Sequence, residues 1–403
     1  MKETDRLFDE YERRFAKAAA QIPLRDPLRD RAEILEKVKS CLGFKDAWIP
    51  SIKAEPVQRL QMQYYDVELL KGHSWDRISI CANLYLPHNR TSPLPLVLLC
   101  CGHGLEGKLT PIYQDAAQVL AERGAAVLVP DNIGQGERKP MGHLEPVMPF
   151  ANGHSVQALI VMETIAWLKW LLKDSRFDPA RIAAAGNSGG GTLTMFLAAL
   201  APELSAIASS GYPCSFDYIA RKEKKHCHCN IIPGIVGELE MWQLYGAYAP
   251  KPLLLFQAAG DCLFPMDSFY SNARKVEAVY EMSGAKKNFQ AVVTPGEHPW
   301  DHQRIELLAK FMTSQLRLAA TPATQNTQLN RLTQTCFEHW PDEARTTDEL
   351  SCLLSGSDPK PELGLWDVFP PPISKRELLA LPDPGERGTA AQIFAQYEAF
   401  LKH

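Results

Sequence analysis

The chain has 403 residues, with 43 Lys and Arg against 47 Asp and Glu for a net charge of -4, and 45% of it is hydrophobic. That suits one large α/β domain with extensions and a sizeable core. The mild acidity gives no reason to expect nucleic acid or an anionic membrane as partner. The charged start Met1-Lys2-Glu3-Thr4-Asp5-Arg6 lacks the apolar stretch of a signal peptide, and no run reaches the ~18 apolar residues of a membrane-spanning helix. Ten cysteines are scattered, including the adjacent pair Cys100-Cys101, and read as free thiols of a reducing compartment, so a cytoplasmic location is expected.

Residues 1–50 are expected to form a helical extension. Leu7, Phe8, Tyr11, Phe15, Ala18 and Ala19 recur at helical spacing, as do Ile34, Leu35 and Val38. These stripes should pack on the main domain, with a homo-oligomer contact as the alternative. From Val57 the pattern alternates, over Val57–Met62, Tyr65–Leu69 and Ile78–Pro87, which predicts antiparallel strands at a sheet edge. Strands then alternate with helices: strands at Leu96–Cys100, Ala126–Pro130, Ile182–Ala185, Leu204–Ala208, Leu253–Gln257 and Phe289–Val293. The helices fall at Tyr113–Arg123, Val156–Leu172, Thr192–Leu200, Ser268–Met282 and Arg304–Leu316. This order predicts a mostly parallel sheet with helices on both faces over residues 51–320, and its chemistry at the carboxyl ends of the strands. Beyond it, residues 321–403 read as a C-terminal extension. Thr321–Thr327 looks like a linker, Leu329–His339 and Ala390–Leu401 like short amphipathic pieces, and Phe369-Pro370-Pro371-Pro372 like a rigid turn. Trp340, Trp366 and Phe369 are expected to be packing anchors.

One stretch carries chemistry outright. Gly186-Asn187-Ser188-Gly189-Gly190 is a G-x-S-x-G motif between a strand-length apolar run and a helical one. That is the context of a nucleophile elbow, in which a sharp turn exposes the serine hydroxyl above the sheet. Gly186 and Gly190 supply the small neighbours such a turn demands. A serine hydroxyl needs a base, and the base needs a group to orient it. Two later strands each end in a loop with one natural candidate: Asp261 in Gly260-Asp261-Cys262, and His298 in Glu297-His298-Pro299. Asp217 is the alternative acid; Glu297 and Asp301 lie too close in sequence to orient His298, and His302 reads as a solvated or capping residue. After the first parallel strand, Cys101-Gly102-His103-Gly104 fits an oxyanion loop, with the N–H of His103 joining that of Gly189 as donors.

Together with Ala82–Pro87 and Asp131–Glu137, these motifs resemble the α/β-hydrolase superfamily, and more narrowly its acetylxylan-esterase-like and dienelactone-hydrolase-related members. The resemblance covers residues 57–316 and implies an α/β-hydrolase fold. Dienelactone hydrolases use a cysteine nucleophile, and Ser188 departs from them.

The run Lys224-Lys225-His226-Cys227-His228-Cys229 offers metal-binding side chains. On an extended chain only residues spaced by two share a face, so four consecutive ligands cannot converge, and no second Cys/His pair follows at finger spacing. The expectation is therefore a metal-free loop lining or covering the substrate pocket. The functional expectation is a serine esterase working through an acyl-enzyme, on a small-molecule ester with a short acyl group, such as acetyl on a sugar, without a cofactor. An oligopeptidase-type serine peptidase is an alternative, though residues 1–90 are too short for the propeller such enzymes carry. A non-catalytic binding protein is the other.

Overall fold

The computed structural model describes residues 3–88, 93–222, 225–318, 330–373 and 384–401. The linker at 321–327, with Lys224 and Leu329, lies outside the described residues. Nine strands form one sheet: β1 (Lys53–Gln61), β2 (Tyr65–His73), β3 (Ser79–Pro87), β4 (Leu94–Cys100), β5 (Ala126–Pro130), β6 (Phe177–Asn187), β7 (Ala206–Ser210), β8 (Leu253–Ala258) and β9 (Phe289–Thr294). Their order is β1-β2-β3-β5-β4-β6-β7-β8-β9. The first three strands pair antiparallel, as the alternating pattern predicts, and β3 meets β5 antiparallel. From β5 onward every neighbour is parallel.

Side chains alternate across the central strands and feed two cores. Leu96, Leu98, Ile182 and Ala184 enter one cluster, while Val97, Leu99, Ala183 and Ala185 enter the other. Burial on both faces explains why these strands read as continuous apolar runs. The second cluster is covered by α3 (Pro111–Glu122) and by the helix His302–Leu316. The first is covered by Val156–Leu171, Gly189–Leu200 and Met266–Met282. No helix among the described residues is long and apolar enough to cross a membrane.

The two ends of the chain meet. Helix α1 (Glu3–Ala20) packs Phe8, Tyr11 and Phe15 against Phe394 and Tyr397 of the C-terminal helix Pro384–Phe400. Arg14 holds Glu398 with two hydrogen bonds of 2.8 Å, and the Tyr11 hydroxyl donates to the same carboxylate at 2.5 Å. The apolar stripe of α1 is thus covered within the chain, as is that of α2 (Arg31–Leu42), whose Ile34, Val38 and Leu42 join the first core.

Residues 330–337, within the amphipathic piece expected at Leu329–His339, run without helix or strand. They run along α3, where the amides of Gln114 and Gln118 hydrogen-bond the backbone of Leu332 and Asn330 at 2.7–3.2 Å. The N–H groups of Cys336 and Phe337 then donate to Glu137 at 3.0 and 2.8 Å. These side chains pair backbone groups that regular secondary structure would otherwise satisfy. Of the three anchors, Phe369 packs on Phe150, Trp340 on Phe337, and Trp366 against the first core.

Candidate active site

The elbow forms where the motif places it. Ser188 sits at φ 59°, ψ −121°, between the end of β6 and the helix Gly189–Leu200. Such a conformation is strained for a residue with a Cβ and persists only where the surroundings hold it. They do: the Ser188 N–H donates to the Ser210 carbonyl at 3.0 Å, at the end of β7. A Cβ on Gly186 would strike the Gly190 backbone, and one on Gly190 the Cys100 carbonyl, so both glycines are sterically required.

Asp261 and His298 arrive from the loops after β8 and β9. His298 Nδ1 lies 2.8 Å from Asp261 Oδ2. Asp261 Oδ1 accepts from the N–H groups of Leu263 and Phe264 at 2.9 and 3.2 Å. Burial alone would raise the Asp261 pKa; the hydrogen bond and charge of His298, with those two N–H donors, outweigh it and hold the carboxylate low. The imidazole stacks on Phe264, and its Nε2 is buried with no hydrogen-bond partner among the described residues. Asn187 Nδ2 donates to the His298 carbonyl at 3.2 Å, tying the histidine loop to the elbow.

Gly211 shows how close the parts are. A Cβ there would lie 3.0 Å from His298 Cε1, 3.2 Å from Ser188 N and 2.5 Å from Asn187 Oδ1. The imidazole edge and the elbow backbone therefore share one small space, kept open by a glycine at φ 61°. Asp217 is elsewhere, on a short helix Phe216–Ala220, paired with Arg221. Glu297 and His302 are exposed, and Asp301 caps the following helix by accepting from the Arg304 N–H.

Gly102 passes directly over the elbow, where a Cβ would lie 3.0 Å from that of Ser188. Its own N–H is taken by the Tyr113 hydroxyl at 2.5 Å. The His103 ring lies against Gly189, with Nδ1 2.7 Å from where a Cβ would stand. A cavity of about 250 Å³ opens here, lined by Ser188, Gly189, His103, Tyr212, Phe264 and Lys222 among others. A larger cleft of about 1180 Å³, between residues 19–29 and the helix Met266–Met282, does not include Ser188.

A strand-turn-helix elbow on a parallel sheet, with an acid and a histidine converging from the next strand ends, decides the architecture. This is an α/β-hydrolase fold. The prolyl oligopeptidase family matches residues 112–226 of the chain, which include Ser188 but neither Asp261 nor His298. YtaP of Bacillus subtilis (strain 168), a hydrolase by designation, is 22% identical over 246 residues, 56% of this chain and 81% of its own. Among solved α/β-hydrolase structures, the methylesterase BT1017 aligns with a TM-score of 0.64 at 19% identity, covering 86% of this chain and 78% of its own. A glucuronoyl esterase from Solibacter usitatus aligns with a TM-score of 0.56 at 15% identity, over 71% of this chain and 92% of its own.

The Cys227–Cys229 loop lines the cavity at Ser188, as expected, with Lys225, His226 and Cys227 on its wall, and its side chains are arranged as follows. Four consecutive residues indeed do not converge: His228 Nδ1 turns to the Pro146 carbonyl at 2.8 Å, and His226 packs on Phe400. Cys227 and Cys229 do share a face, with Sγ atoms 3.2 Å apart, and they meet His103 and His143 from two other loops. Side chains from separate segments thus converge where neighbours in sequence alone do not. Burial raises the Cys227 thiol pKa, but Cys229, His103 and His143 more than reverse it, to well below the usual thiol value.

Proposed function

We propose that this chain is a serine hydrolase of carboxylic esters acting through an acyl-enzyme. In this reading Ser188 Oγ attacks the ester carbonyl, and His298 Nε2 takes its proton and later delivers one to the leaving alcohol. Asp261 holds Nδ1–H and stabilises the imidazolium, and the N–H groups of Gly189 and His103 receive the oxyanion. Water, deprotonated by the same imidazole, then releases the acid. The observation that carries the reading is an Asp-held His298 close to the strained Ser188, its buried Nε2 without a hydrogen-bond partner among the described residues. A base with Nδ1 committed to a carboxylate and Nε2 uncommitted is in the tautomer that can accept a serine proton.

The cavity at Ser188 is below the ~300–1,000 Å³ of a typical drug-sized site. That favours a short acyl group such as acetyl, and the esterase names among structures of similar fold support an ester of a sugar. No step of this mechanism requires a cofactor. The oligopeptidase-type peptidase reading draws on the match at residues 112–226, but residues 3–88 hold helices and three antiparallel strands where a propeller would be needed. A panel of p-nitrophenyl esters of increasing acyl length, acetylated sugars and peptide p-nitroanilides tests the reading. Turnover should be greatest on the acetyl esters; cleavage of the anilides alone would replace it with the peptidase.

A further inference from the structure

We propose that Cys227, Cys229, His103 and His143 form a tetrahedral zinc site that clamps the loop carrying His103 beside Ser188. The four ligand atoms all lie within 4.8 Å of one another. Ligands at zinc's ordinary distances, ~2.3 Å for sulfur and ~2.0 Å for nitrogen, stand roughly 3.3–3.8 Å apart around a tetrahedron, so a small adjustment seats the ion. His103 Nε2 already faces Cys229 Sγ at 3.0 Å. His143 donates Nδ1–H to the Ile133 carbonyl at 2.8 Å, which leaves the lone pair on Nε2, now 3.1 Å from the Gln135 amide nitrogen that the ion would displace. An imidazole with its second nitrogen bound to a backbone carbonyl is how proteins orient a metal-ligating histidine.

The donor set selects the ion. Two thiolates and two imidazoles suit zinc and are poor partners for magnesium or calcium, which take oxygen. All four positions come from the protein, so the site is closed and structural and leaves no position for a reactive water. A second group of similar chemistry, Cys81, Glu137 and Cys336, makes the contrast. There the buried Lys108 ammonium is 2.9 Å from Asp131 and also pairs with Glu137, so a positive charge is already in place.

The site would join three separate loops: 101–104 after β4, the stretch around His143, and 227–229. Its effect on the chemistry follows from His103, whose ring rests on Gly189 and whose N–H is the proposed second oxyanion donor. Two cysteines two residues apart on one chain segment supply half the ligands before folding, and folding delivers the histidines.

The test uses the full-length protein, without an affinity tag that binds metal, purified in reductant and free of chelator. Elemental analysis should find about one zinc per chain, and Cys227→Ser or Cys229→Ser should each remove it. Cobalt(II) loaded in place of zinc should give thiolate-to-cobalt charge-transfer absorption and tetrahedral d–d bands, a readout on the wild-type chain that stands even if the serine variants fail to fold. Stripping the metal should lower kcat for p-nitrophenyl acetate far more than it changes KM, since an oxyanion donor acts in the transition state. Wild-type protein that holds well under a tenth of an equivalent after zinc reconstitution, or binds cobalt without the thiolate band, overturns the site. Neither metal readout depends on esterase activity, so failure of the serine mechanism would leave this result interpretable.

Discussion

Asp261→Asn tests the proposed relay at the atom that sets the histidine tautomer. Asp261 Oδ1 accepts two backbone N–H groups, from Leu263 and Phe264, while Oδ2 faces His298 Nδ1 at 2.8 Å. An asparagine in the same place has one oxygen to give. If it stays with the two N–H donors, the NH₂ group faces His298 and forces its proton onto Nε2, where it can no longer accept one from Ser188. If it flips, the Leu263 and Phe264 N–H groups lose their acceptor, and the buried Phe264 donor costs about 1–3 kcal/mol. The first arrangement costs less, so the wrong tautomer should dominate. The expected fall in kcat is about 10⁴-fold, the size of the same exchange in a serine protease. The assay is p-nitrophenyl acetate hydrolysis at saturating substrate, with circular dichroism to confirm the fold, and with Asp217→Asn as a control that should lose little. A kcat within tenfold of wild type for Asp261→Asn, or a collapse for Asp217→Asn, would refute the assignment.

Gly211→Ala should lower kcat about 10²-fold. The new Cβ would press on His298 Cε1 and Asn187 Oδ1, and alanine at φ 61° adds about 1 kcal/mol of strain, visible as a modest drop in Tm. Wild-type turnover in this variant would mean the imidazole does not lie where the Gly211 space implies. His154 should set part of the acid limb of stability. Burial lowers its pKa to about 4, whereas an unfolded histidine titrates near 6.5, so the neutral form is favoured by folding. That contribution is complete above about pH 6.5 and disappears as pH falls through about 4, amounting to roughly 3 kcal/mol. Urea denaturation between pH 7 and 4 should show the loss, and His154→Gln should flatten it; an unchanged pH slope in the variant would assign the limb to other groups.

What was legible in the sequence was what is encoded locally. Strands β4 to β8 carry apolar runs buried on both faces and β9 a half-exposed one, so their existence and approximate ends could be read from hydropathy. The elbow is a five-residue motif, and Asp261 and His298 each stand alone as candidates in a strand-end loop. The misses are contacts between distant segments. Nothing local marks Gly211 as the residue that gives His298 its space, or Asn187 as the donor to the histidine loop. Residues 330–337 alternate too weakly to be a strand and owe their extended path to Gln114, Gln118 and Glu137, about two hundred positions away. For the Cys227–Cys229 loop a signal was present: a spacing of two puts both thiols on one side, which supplies a pair of ligands and asks where the other pair comes from. His103 stands in a glycine-flanked loop that also fits an oxyanion hole, and His143 lies in a stretch without a motif.

The central claim is that Ser188 is an activated nucleophile. Incubation of the intact protein with a fluorophosphonate, followed by peptide mapping, tests it most directly. One phosphonyl group per chain is expected, placed on Ser188 and absent from Ser188→Ala, whose hydrolysis of p-nitrophenyl acetate should be abolished while its melting curve is retained. An unlabelled Ser188 in protein that still turns over esters, or full turnover in Ser188→Ala, would contradict it.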